Sequence, residues 1–524
     1  MYKTFKLSIF ALALSVASAF AQDQDPIVDN IIKEATENSQ LEPLAHHLLD
    51  LIGPRLTGTP QLKQANDWLV SQYKTWGIDA QNEKWGEWKA WERGITHMDM
   101  ISPRVQTLDG MQLAWSPGTG AKGVTAEVII LPTVKDSLEF QKWLKNAKGK
   151  LVMISEYQPT GRPDSNWEEY ATEESFAKMK KERDSMSDSY KENLKRTGYA
   201  NRRANGLNDD GIKHLEEAGA VGIIASYWSK EIGSNKIFGA ATKKIPTVDM
   251  ELEDYTMLYR MVEYGDKPVV KIVAESKDLG RVPIFNTIGT IKGTEKTNEY
   301  VILSAHLDSW DGGTGATDNG TGTLVMLEAM RILKKMYPNP KRTIMVGHWS
   351  SEEQGLNGSR AFVEDHPEIV ANIQAVFNQD NGTGRVVDLS GAGYLHSYEY
   401  LTRWLEAVPE NIKKHIKTEF PGSPSGGGSD NASFVAAGAP AFNLSSLSWD
   451  YGTYTWHTNR DTYDKIVFDD VQNNAILTAI LAYMASEDGT KTSNEKSVLP
   501  MSKRTGKQQE WPAQRSPTRN GGID

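Results

Sequence analysis

The second half of the chain alternates short apolar runs with longer segments of helical period. Strands are predicted at residues 300–305, 342–349 and 373–380, and helices at 320–336, 359–364 and 471–486. The predicted strands are largely apolar along their length, which is typical of strands buried on both faces of a sheet. This alternation predicts an α/β fold with a mixed, mainly parallel sheet flanked by helices.

A different pattern occupies residues 123–274. Short strands bounded by glycine or polar residues are predicted there at 125–131, 149–155, 220–226 and 268–274. A chain of 524 residues is longer than one hydrophobic core usually serves. We therefore predict a β-rich domain at 123–274, inserted between main-domain segments at 22–122 and 275–486.

Two polar stretches stand apart from these cores. Residues 163–205 are rich in Lys, Glu, Asp and Ser, so we expect a charged helical excursion from the inserted domain. Residues 487–524 are polar and contain Pro and Gly, and they are predicted to be disordered.

Residues 1–21 have the pattern of a secretory signal peptide. Lys3 and Lys6 precede an apolar run at 7–16, and the sequence AFA at 19–21 is a small-x-small cleavage site. The apolar run is too short for a membrane anchor. We expect export to the periplasm or the extracellular space.

Composition narrows the possible chemistry. The chain has no cysteine, which excludes disulfides, thiolate metal sites and a cysteine nucleophile. The formal net charge of -10 becomes -12 when the two signal lysines are removed, which argues against nucleic acid as a partner. The sequence also lacks the Gly-x-Ser-x-Gly motif of α/β-hydrolases.

Three clusters of acidic and imidazole residues accompany the ends of predicted strands: SAHLDSWDGG, WSSEEQG and NQDNGTG. Ligands of open α/β sheets bind beyond the carboxyl ends of the strands. His306 follows the first strand and offers an imidazole nitrogen to a metal, while Asp308 is placed to hold the orientation of its ring. Asp308 is therefore predicted to support catalysis without being a metal ligand.

The remaining candidate residues each have a plainer interpretation as well. Asp318 follows a glycine-rich turn and could bridge two cations or act as an ordinary N-cap. Glu352 and Glu353 point in opposite directions in extended backbone, so one ligates while the other faces water, unless both lie in a solvated turn. Asp380 ends the third cluster, and His457 lies in a polar loop, where a lone histidine is often simply exposed.

Charge and donor chemistry favour a site for two metal ions. Three ligating carboxylates contribute -3 and two divalent ions +4, whereas the acids would repel one another without metal. Nitrogen and oxygen donors suit zinc, although manganese or cobalt also accepts such a set. We predict two Zn2+ ions per chain.

With these residues the sequence resembles the co-catalytic dizinc aminopeptidases of peptidase family M28, which also include glutamate carboxypeptidases. Five ordered motifs carry the resemblance: AHLDS, ATDNGTG, SSEEQGLNGS, QDNG and HTNRDT. It implies one bridging aspartate and two further ligands for each metal: Asp318 as the bridge, His306 with Asp380, and Glu353 with His457. It also implies that Glu352 is the general base.

Other segments extend the resemblance. GPRLTGT at 53–59 is similar to a family motif, residues 123–274 resemble a protease-associated domain, and residues 426–440 resemble the branch of plasma glutamate carboxypeptidases. Trp456 stands where longer members have a tyrosine thought to stabilise the oxyanion. Tyr451 or Tyr454 could replace that tyrosine.

The resemblance implies a metallo-exopeptidase that cleaves short peptides or dipeptides, and we expect recognition of a free amino terminus. A carboxypeptidase is the main competing function; in it Arg460 would hold the substrate carboxylate, unless Arg460 pairs with Asp461 or Asp464. Acyl transfer of the glutaminyl cyclase kind and a non-enzymatic scaffold are also compatible with this fold. A homodimer is compatible with the sequence, and neither nucleic acid nor a membrane is an expected partner.

Overall fold

The computed structural model of the chain describes residues 25–201, 206–380, 383–502 and 505–522. The predicted signal peptide at 1–21 lies outside the described residues. Within the described ranges, no helix combines the length and the apolar character needed to cross a bilayer.

Strands and helices alternate along most of the chain. The strands are β1 (Asp79–Ser102), β2 (Gln106–Leu108), β3 (Gly110–Gln112), β4 (Val124–Ile130), β5 (Leu151–Met153), β6 (Gly222–Ala225), β7 (Thr247–Met250), β8 (Val269–Ile291), β9 (Lys296–His306), β10 (Arg342–Trp349), β11 (Ile373–Asn378), β12 (Val386–Ser390), β13 (Lys417–Glu419), β14 (Ala441–Ser446) and β15 (Asn520–Gly521). The α-helices are α1 (Pro26–Glu37), α2 (Leu41–Ala45), α3 (Pro60–Thr75), α4 (Ser137–Trp143), α5 (Asp164–Tyr170), α6 (Glu173–Thr197), α7 (Asp209–Glu217), α8 (Leu252–Glu263), α9 (Thr321–Met336), α10 (Asn357–Asp365), α11 (Pro367–Val370), α12 (Ser397–Leu405), α13 (Glu410–Lys413), α14 (Asn431–Ala436) and α15 (Phe468–Glu487). Short π-helical or 3-10 turns lie at His46–Ile52, Leu144–Ala147, Ala316–Gly320, Tyr451–Thr455 and Tyr463–Lys465.

The main domain is built on a mixed sheet. Its strands follow the order β13-β12-β14-β11-β9-β10-β8, with β1 beside β8. β14, β11, β9 and β10 run parallel to one another, and β8 joins β10 antiparallel. The predicted α/β fold with a mainly parallel sheet flanked by helices is confirmed.

The strands and helices at the centre of this domain are enclosed on all sides, and the core they form is apolar. The last six residues of β9 and the whole of β10 and β11 are buried. Helix α9 is buried from Thr321 to Leu333, and α15 packs against it. Each fully buried Leu, Ile or Val stabilises the fold by roughly 1.5–3 kcal/mol relative to exposure. The ends of these rigid strands therefore make a firm base for a site.

The inserted domain starts earlier in the chain than predicted. The first half of β1 pairs with the second half of β8 in the main domain, and from Thr96 onward β1 pairs with the first half of β8 in the inserted domain. Met98 and Met100 belong to the core of the inserted domain. The structure thus places the boundary at the register shift between Arg93 and Thr96, not at residue 123, because one strand serves both domains.

The inserted domain has a sheet with a core on each face. β4, β5, β6 and β7 are parallel, and β3 adds antiparallel to β7. One core contains residues of α8, and the other contains residues of α4, α6 and α7. The domain is therefore helix-covered as well as β-rich.

In the charged stretch at 163–205, the described residues 164–170 and 173–197 form the helices α5 and α6. The end of α6 is anchored in the inserted domain. Leu194 is part of its core, and the Asn193 side chain accepts a hydrogen bond from the Val134 N–H and donates one to the Pro132 carbonyl, each at 2.9 Å. Residues 202–205 lie outside the described part of the chain.

The described parts of the carboxyl-terminal tail, residues 487–502 and 505–522, differ from the prediction of disorder. Its last strand, β15, pairs with β1. Trp511 packs against Tyr394 with ring centroids 5.3 Å apart, and Arg519 forms an ion pair with Asp365 at 2.7 Å. The polar composition of the tail does not reveal these contacts, because they are made by single residues spaced along it and not by an apolar run.

Candidate metal centre

The three predicted clusters meet at one edge of the main-domain sheet. β9 is parallel to both β10 and β11, so the carboxyl ends of these strands lie side by side. His306 is the last residue of β9, Glu352 and Glu353 follow β10, and Asp380 follows β11. The sheet therefore brings together residues that are far apart in sequence.

His306 is held in one ring orientation. Its side chain is fully buried, and its Nδ1 atom lies 2.9 Å from the backbone carbonyl oxygen of Asp308. A carbonyl accepts, so Nδ1 carries a proton and points away from the carboxylates, which leaves Nε2 as the ring atom that can serve as a metal ligand. Nε2 faces Asp318 and Asp380, with carboxylate oxygens at 3.4 and 3.3 Å.

Two overlapping groups of side chains have the spacing of metal ligands. His306, Asp318 and Asp380 form one group, and Asp318, Glu353 and His457 form the other. Asp318 offers Oδ1 to the first group and Oδ2, at 3.2 Å from Nε2 of His457, to the second. The five predicted ligands are thus brought together, with Asp318 between the two groups.

The spacing of these donor atoms fits zinc. Ligand atoms about 2.1 Å from a tetrahedral zinc lie roughly 3.4 Å from one another. The first group matches this value, with 3.3 and 3.4 Å from Nε2 of His306 to its carboxylates. In the second group Oε2 of Glu353 is 2.9 Å from Nε2 of His457, and Oε1 of Glu353 has no hydrogen-bond partner among the described residues. A buried carboxylate oxygen without a partner is costly, and a cation would satisfy it.

Asp308 supports the site in a different way from the one predicted. Its carboxylate Oδ1 is 3.7 Å from Nδ1 of His306, beyond a hydrogen bond. The carboxylate accepts instead from the backbone N–H groups of Glu352 and Glu353, at 3.1 and 3.3 Å. Asp308 therefore orients His306 through its carbonyl oxygen and holds the turn of the two glutamates through its side chain.

Asp461 is a supporting residue that the sequence pattern did not single out, except as a partner for Arg460. Its buried carboxylate accepts from the backbone N–H of Thr317 at 2.7 Å and from that of Asp318 at 3.1 Å. It also accepts from the Thr317 hydroxyl at 2.8 Å. These contacts fix the backbone that carries the bridging carboxylate, and no local pattern distinguishes such an aspartate.

Arg55, in the GPRLTGT segment, is a second supporting residue whose role the sequence did not reveal. It is completely buried and donates to the backbone carbonyls of Leu307, Thr314 and Gly315 at 2.7 to 2.9 Å. One guanidinium thus ties the loop after His306 to the turn before Asp318. Burial lowers the pKa of Arg55 to about 10, so it stays charged at neutral pH.

His457 joins the site from a loop that the inserted domain contacts. Its backbone φ is 59°, in the left-handed region, and its carbonyl accepts from the N–H of Ile237 at 2.8 Å. The rings of Phe238, Trp310 and Trp456 lie within 5.9 Å of its imidazole, measured between centroids. The inserted domain therefore forms part of the wall of the site.

The pKa values of these groups are shifted by burial and by the negative charge concentrated in the cluster. Burial lowers the pKa of His457, but the carboxylates of Glu353 and Asp318 outweigh it and raise the pKa to about 9. Burial, and then the charge of Asp318, raises the pKa of Glu353 to about 7. Burial and the charges of Asp380 and Asp430 raise the pKa of Glu352 well above its usual range. Protons here occupy places that a divalent cation would take.

Two further groups border Glu352 and Asp318. Asp430 is fully buried, burial raises its pKa to about 7, and neither carboxylate oxygen has a hydrogen-bond partner among the described residues. Tyr451 lies beside Asp318, and burial followed by that negative charge raises the pKa of its hydroxyl. Tyr451, rather than Tyr454, is thus the tyrosine at the site.

The side chain of Arg460 binds the backbone of the inserted domain. Its guanidinium Nε donates to the carbonyl oxygen of Gly233 at 2.8 Å, and Asp464 pairs with Lys465 instead. Arg460 is therefore part of the contact between the domains. Among the described residues, its guanidinium forms no ion pair with Asp461 or Asp464.

A mainly parallel α/β sheet that brings two overlapping groups of candidate metal ligands together at its carboxyl edge fits the class of metal-dependent hydrolases. The family model described as Peptidase family M28 matches residues 286–482. The matched range contains all five candidate ligands, and the enzyme class that the match indicates is the zinc metallo-exopeptidases.

The chain is also similar to a curated relative in sequence and to two solved structures in fold. Carboxypeptidase Q of Rattus norvegicus is 27% identical over 450 residues, which cover 84% of this chain and 84% of the relative. The structure of a peptidase M28 precursor from Shewanella amazonensis matches with a TM-score of 0.65 and 23% identity, over 90% of this chain and 98% of that one. A zinc aminopeptidase from Bacillus subtilis matches with a TM-score of 0.53 and 21% identity, over 87% of this chain and 96% of that one. The two structures share the fold of this chain.

Proposed function

We propose that the chain is an exported exopeptidase that hydrolyses short peptides with a free amino terminus, dipeptides among them, and that it holds two zinc ions. The observation that carries the proposal is the placement of Asp318, whose two carboxylate oxygens face separate ligand groups. Zinc in such a site supplies Lewis acidity and acidifies water.

The residues of the chain then divide the work. Glu352 lies beside both ligand groups without belonging to either. It is the base that accepts a proton from the attacking water and returns it to the nitrogen of the leaving residue. The side chain of Asp308 fixes the backbone of Glu352. The hydroxyl of Tyr451, which lies beside Asp318, is the donor that we assign to the developing oxyanion.

A free amino terminus suits the charge of the site. The buried carboxylates around the two groups exceed what two imidazoles neutralise, and an ammonium group makes strong charge-assisted hydrogen bonds to carboxylates. The partly exposed rings of Phe238, Trp310 and Trp456 provide an apolar surface beside His457 for the side chain next to the ammonium.

Blocked substrates test the proposal. The zinc-loaded mature protein is given a free dipeptide, its N-acetyl derivative and its carboxyl-terminal amide. We expect acetylation of the amino terminus to stop cleavage. Continued cleavage of the acetylated dipeptide, together with loss of cleavage of the amide, would instead establish a carboxypeptidase, the function named for the relative from Rattus norvegicus.

Export and stoichiometry have separate tests. The signal-like pattern at 1–21 supports secretion, and amino-terminal sequencing of the exported protein is expected to start at Gln22. Mass spectrometry under native conditions is expected to find two zinc ions per chain. Light scattering of the mature protein distinguishes a homodimer from a monomer.

A further inference from the structure

The inserted domain contains a cleft of its own, separate from the metal centre. Its volume is about 360 Å³, and none of the residues that line it belongs to the two metal-ligand groups. Two lining residues, Leu131 and Thr133, follow β4, and three more, Ser155, Glu156 and Tyr157, follow β5. β4 and β5 are parallel, so the cleft lies at the carboxyl edge of the inserted sheet. Open α/β sheets bind their ligands at that edge.

Two helices form the side walls of this inserted-domain cleft. α6 contributes Ser185, Ser189 and Asn193, which share one face of the helix because they are four residues apart. α8 contributes Tyr259 and Glu263, which are also four residues apart. The two helices pack into different cores, one on each face of the sheet. The volume between them is in the range of small-molecule sites, about 300–1,000 Å³.

The turn that follows β5 is held in place by two tyrosine side chains. The hydroxyl of Tyr255 accepts from the backbone N–H of Ser155 and donates to the carbonyl of the same residue, each at 2.8 Å. The hydroxyl of Tyr190 donates to the carbonyl of Ile154. The next residues, Glu156 and Tyr157, therefore line the cleft from a backbone that is already fixed.

The charged groups that line the cleft are unbalanced. They are Glu156, Glu263 and a single cation, Arg196. Nε of Arg196 donates to the carbonyl of Val134 at 2.7 Å, and within the described ranges neither glutamate forms an ion pair. One oxygen of Glu156 accepts from the side-chain amide of Gln158 at 2.6 Å. The other, Oε2, is shielded from solvent and has no partner among the described residues. An oxygen in that position favours the approach of a donor.

Two aromatic rings lie beside these carboxylates. The rings of Tyr157 and Tyr259 are partly exposed, and their centroids are 5.1 Å apart. Burial, followed by the charge of Glu263, raises the pKa of Tyr259, because that carboxylate lies near its hydroxyl. The face of a tyrosine ring attracts a cation within about 6 Å of its centroid. Aromatic rings next to carboxylates are a combination that suits an organic cation.

We propose that the inserted-domain cleft binds a small organic cation through an ammonium or guanidinium group. The charge of the ligand lies beside Glu156 and Glu263, and its apolar stem lies against the rings of Tyr157 and Tyr259. One such cation balances the negative charge that Arg196 leaves uncompensated. A free basic amine and a basic side chain within a peptide both carry this group. The proposal does not depend on the peptidase chemistry of the metal centre.

The first test is calorimetric titration of the zinc-loaded protein with n-butylguanidinium and with n-butylurea, which has a similar shape and no charge. A charge-assisted contact together with cation–π attraction predicts a Kd of about 1 mM or tighter for n-butylguanidinium. The urea is expected to bind at least about 10-fold more weakly, since it loses the charge. Equal binding of the two probes, or no binding of the cation, overturns the proposal and leaves the exopeptidase function standing.

A third probe distinguishes the two sources of the cation. The peptide N-acetyl-Gly-Arg-Gly-amide presents a guanidinium group but has both ends blocked. If it binds as tightly as n-butylguanidinium, the proposal is supported with a peptide side chain as the source. If only the small cation binds, the proposal is supported with a free amine as the source.

Variants locate the site. Glu156→Gln is expected to weaken binding of n-butylguanidinium by about 10-fold or more, and Tyr259→Leu by about 3- to 30-fold. Tyr259→Phe keeps the ring face and should bind normally. Glu263→Gln, at an exposed position, changes binding without a risk to folding and should weaken it by about 3- to 10-fold.

Two further substitutions are controls, because their side chains are exposed and do not line the cleft. Glu217→Gln is matched to the glutamate variants and Tyr264→Leu to Tyr259→Leu, and both should bind the cation as the wild type does. Melting temperatures are measured for all variants. Unchanged affinity in Glu156→Gln, Glu263→Gln and Tyr259→Leu together overturns the proposal, because the cation then binds elsewhere. An equal loss in Tyr259→Leu and Tyr259→Phe overturns the role of the ring face.

Discussion

The carboxylate of Asp461 accepts a hydrogen bond from the backbone N–H of Asp318 at 3.1 Å. The same carboxylate also accepts from Thr317, so a single buried group fixes the two residues that present the bridging ligand. The position of Asp318 is therefore determined by a loop that lies more than a hundred residues away in the chain.

Asp461→Asn tests this relationship. The asparagine amide keeps one acceptor oxygen and turns its NH2 group toward a backbone N–H. The backbone that carries the bridging ligand Asp318 therefore loses its fixed position. Changes to groups that hold metal ligands typically weaken metal affinity or activity by about 10- to 100-fold, and we expect zinc affinity to fall by that amount in a chelator competition. Asp464→Asn, at a largely exposed site, is the control and should bind zinc normally.

The two adjacent glutamates are expected to separate chemistry from metal binding. Glu352→Gln should lower kcat by about 100- to 10,000-fold, the usual contribution of a general base, while zinc content stays near that of the wild type. Glu353→Gln should lose zinc from one site, since Glu353 belongs to the second ligand group. Elemental analysis beside steady-state kinetics checks both variants, and the reverse pattern would exchange the two roles.

Removing metal should destabilise the protein as well as inactivate it. Without cations, the carboxylates of Asp318, Glu353 and Asp380 share a small buried space. A ligand that binds only the folded state stabilises it by about 2.7 kcal/mol at 100 times its Kd. We expect a strong chelator to lower the melting temperature by several degrees, and added zinc to restore both stability and activity. Unchanged melting after complete zinc removal would contradict this.

Glu251 lies at the contact between the domains, and its protonation makes the stability of the folded chain depend on pH. Burial, and then the charges of Asp109, Glu253 and Asp254, raises its pKa to about 7 in the folded chain. A carboxyl group with a raised folded-state pKa gives its full stability below its unfolded pKa of about 4.3 and loses it as pH rises through the folded value. Glu251→Gln removes that loss.

The measurement is the melting temperature of the variant relative to the wild type at several pH values. The difference should be small at pH 4.5, grow between pH 5 and 7, and remain positive at pH 8. Glu217→Gln, at an exposed position of α7, should show no such trend. A difference that shrinks as pH rises would show that the sign is wrong.

The main sheet could be predicted from the sequence, and the candidate ligands could be named from it, because both leave local signals. β9, β10 and β11 each contain a buried apolar run, and His306, Glu353 and Asp380 lie at or just beyond their ends. The residues that support the ligands leave no local signal in the sequence. Arg55 and Asp461 act through backbone groups far away in the chain, and an isolated arginine or aspartate looks the same whether it is buried or solvated.

The predictions of the domain boundary and of the tail differ from the structure for related reasons. β1 reads as one continuous strand, so nothing in its pattern marks where the main domain ends at Arg93. The tail has the composition of a disordered segment, and only the fold provides Tyr394 and Asp365 as partners for Trp511 and Arg519. Long-range partners of this kind cannot be read from local composition.

β1 and β8 run through both domains, so in the described part of the chain a paired two-stranded ribbon, and not a loose linker, crosses the domain border. An inserted domain on loose linkers opens and closes over a cleft by rigid rotation. Here that motion has to pass through a two-stranded ribbon, which yields by twisting and by bending where its register shifts, between Arg93 and Thr96. A twist of this ribbon therefore acts on the contact between the loop of Ile237 and Phe238 and the backbone carbonyl of His457.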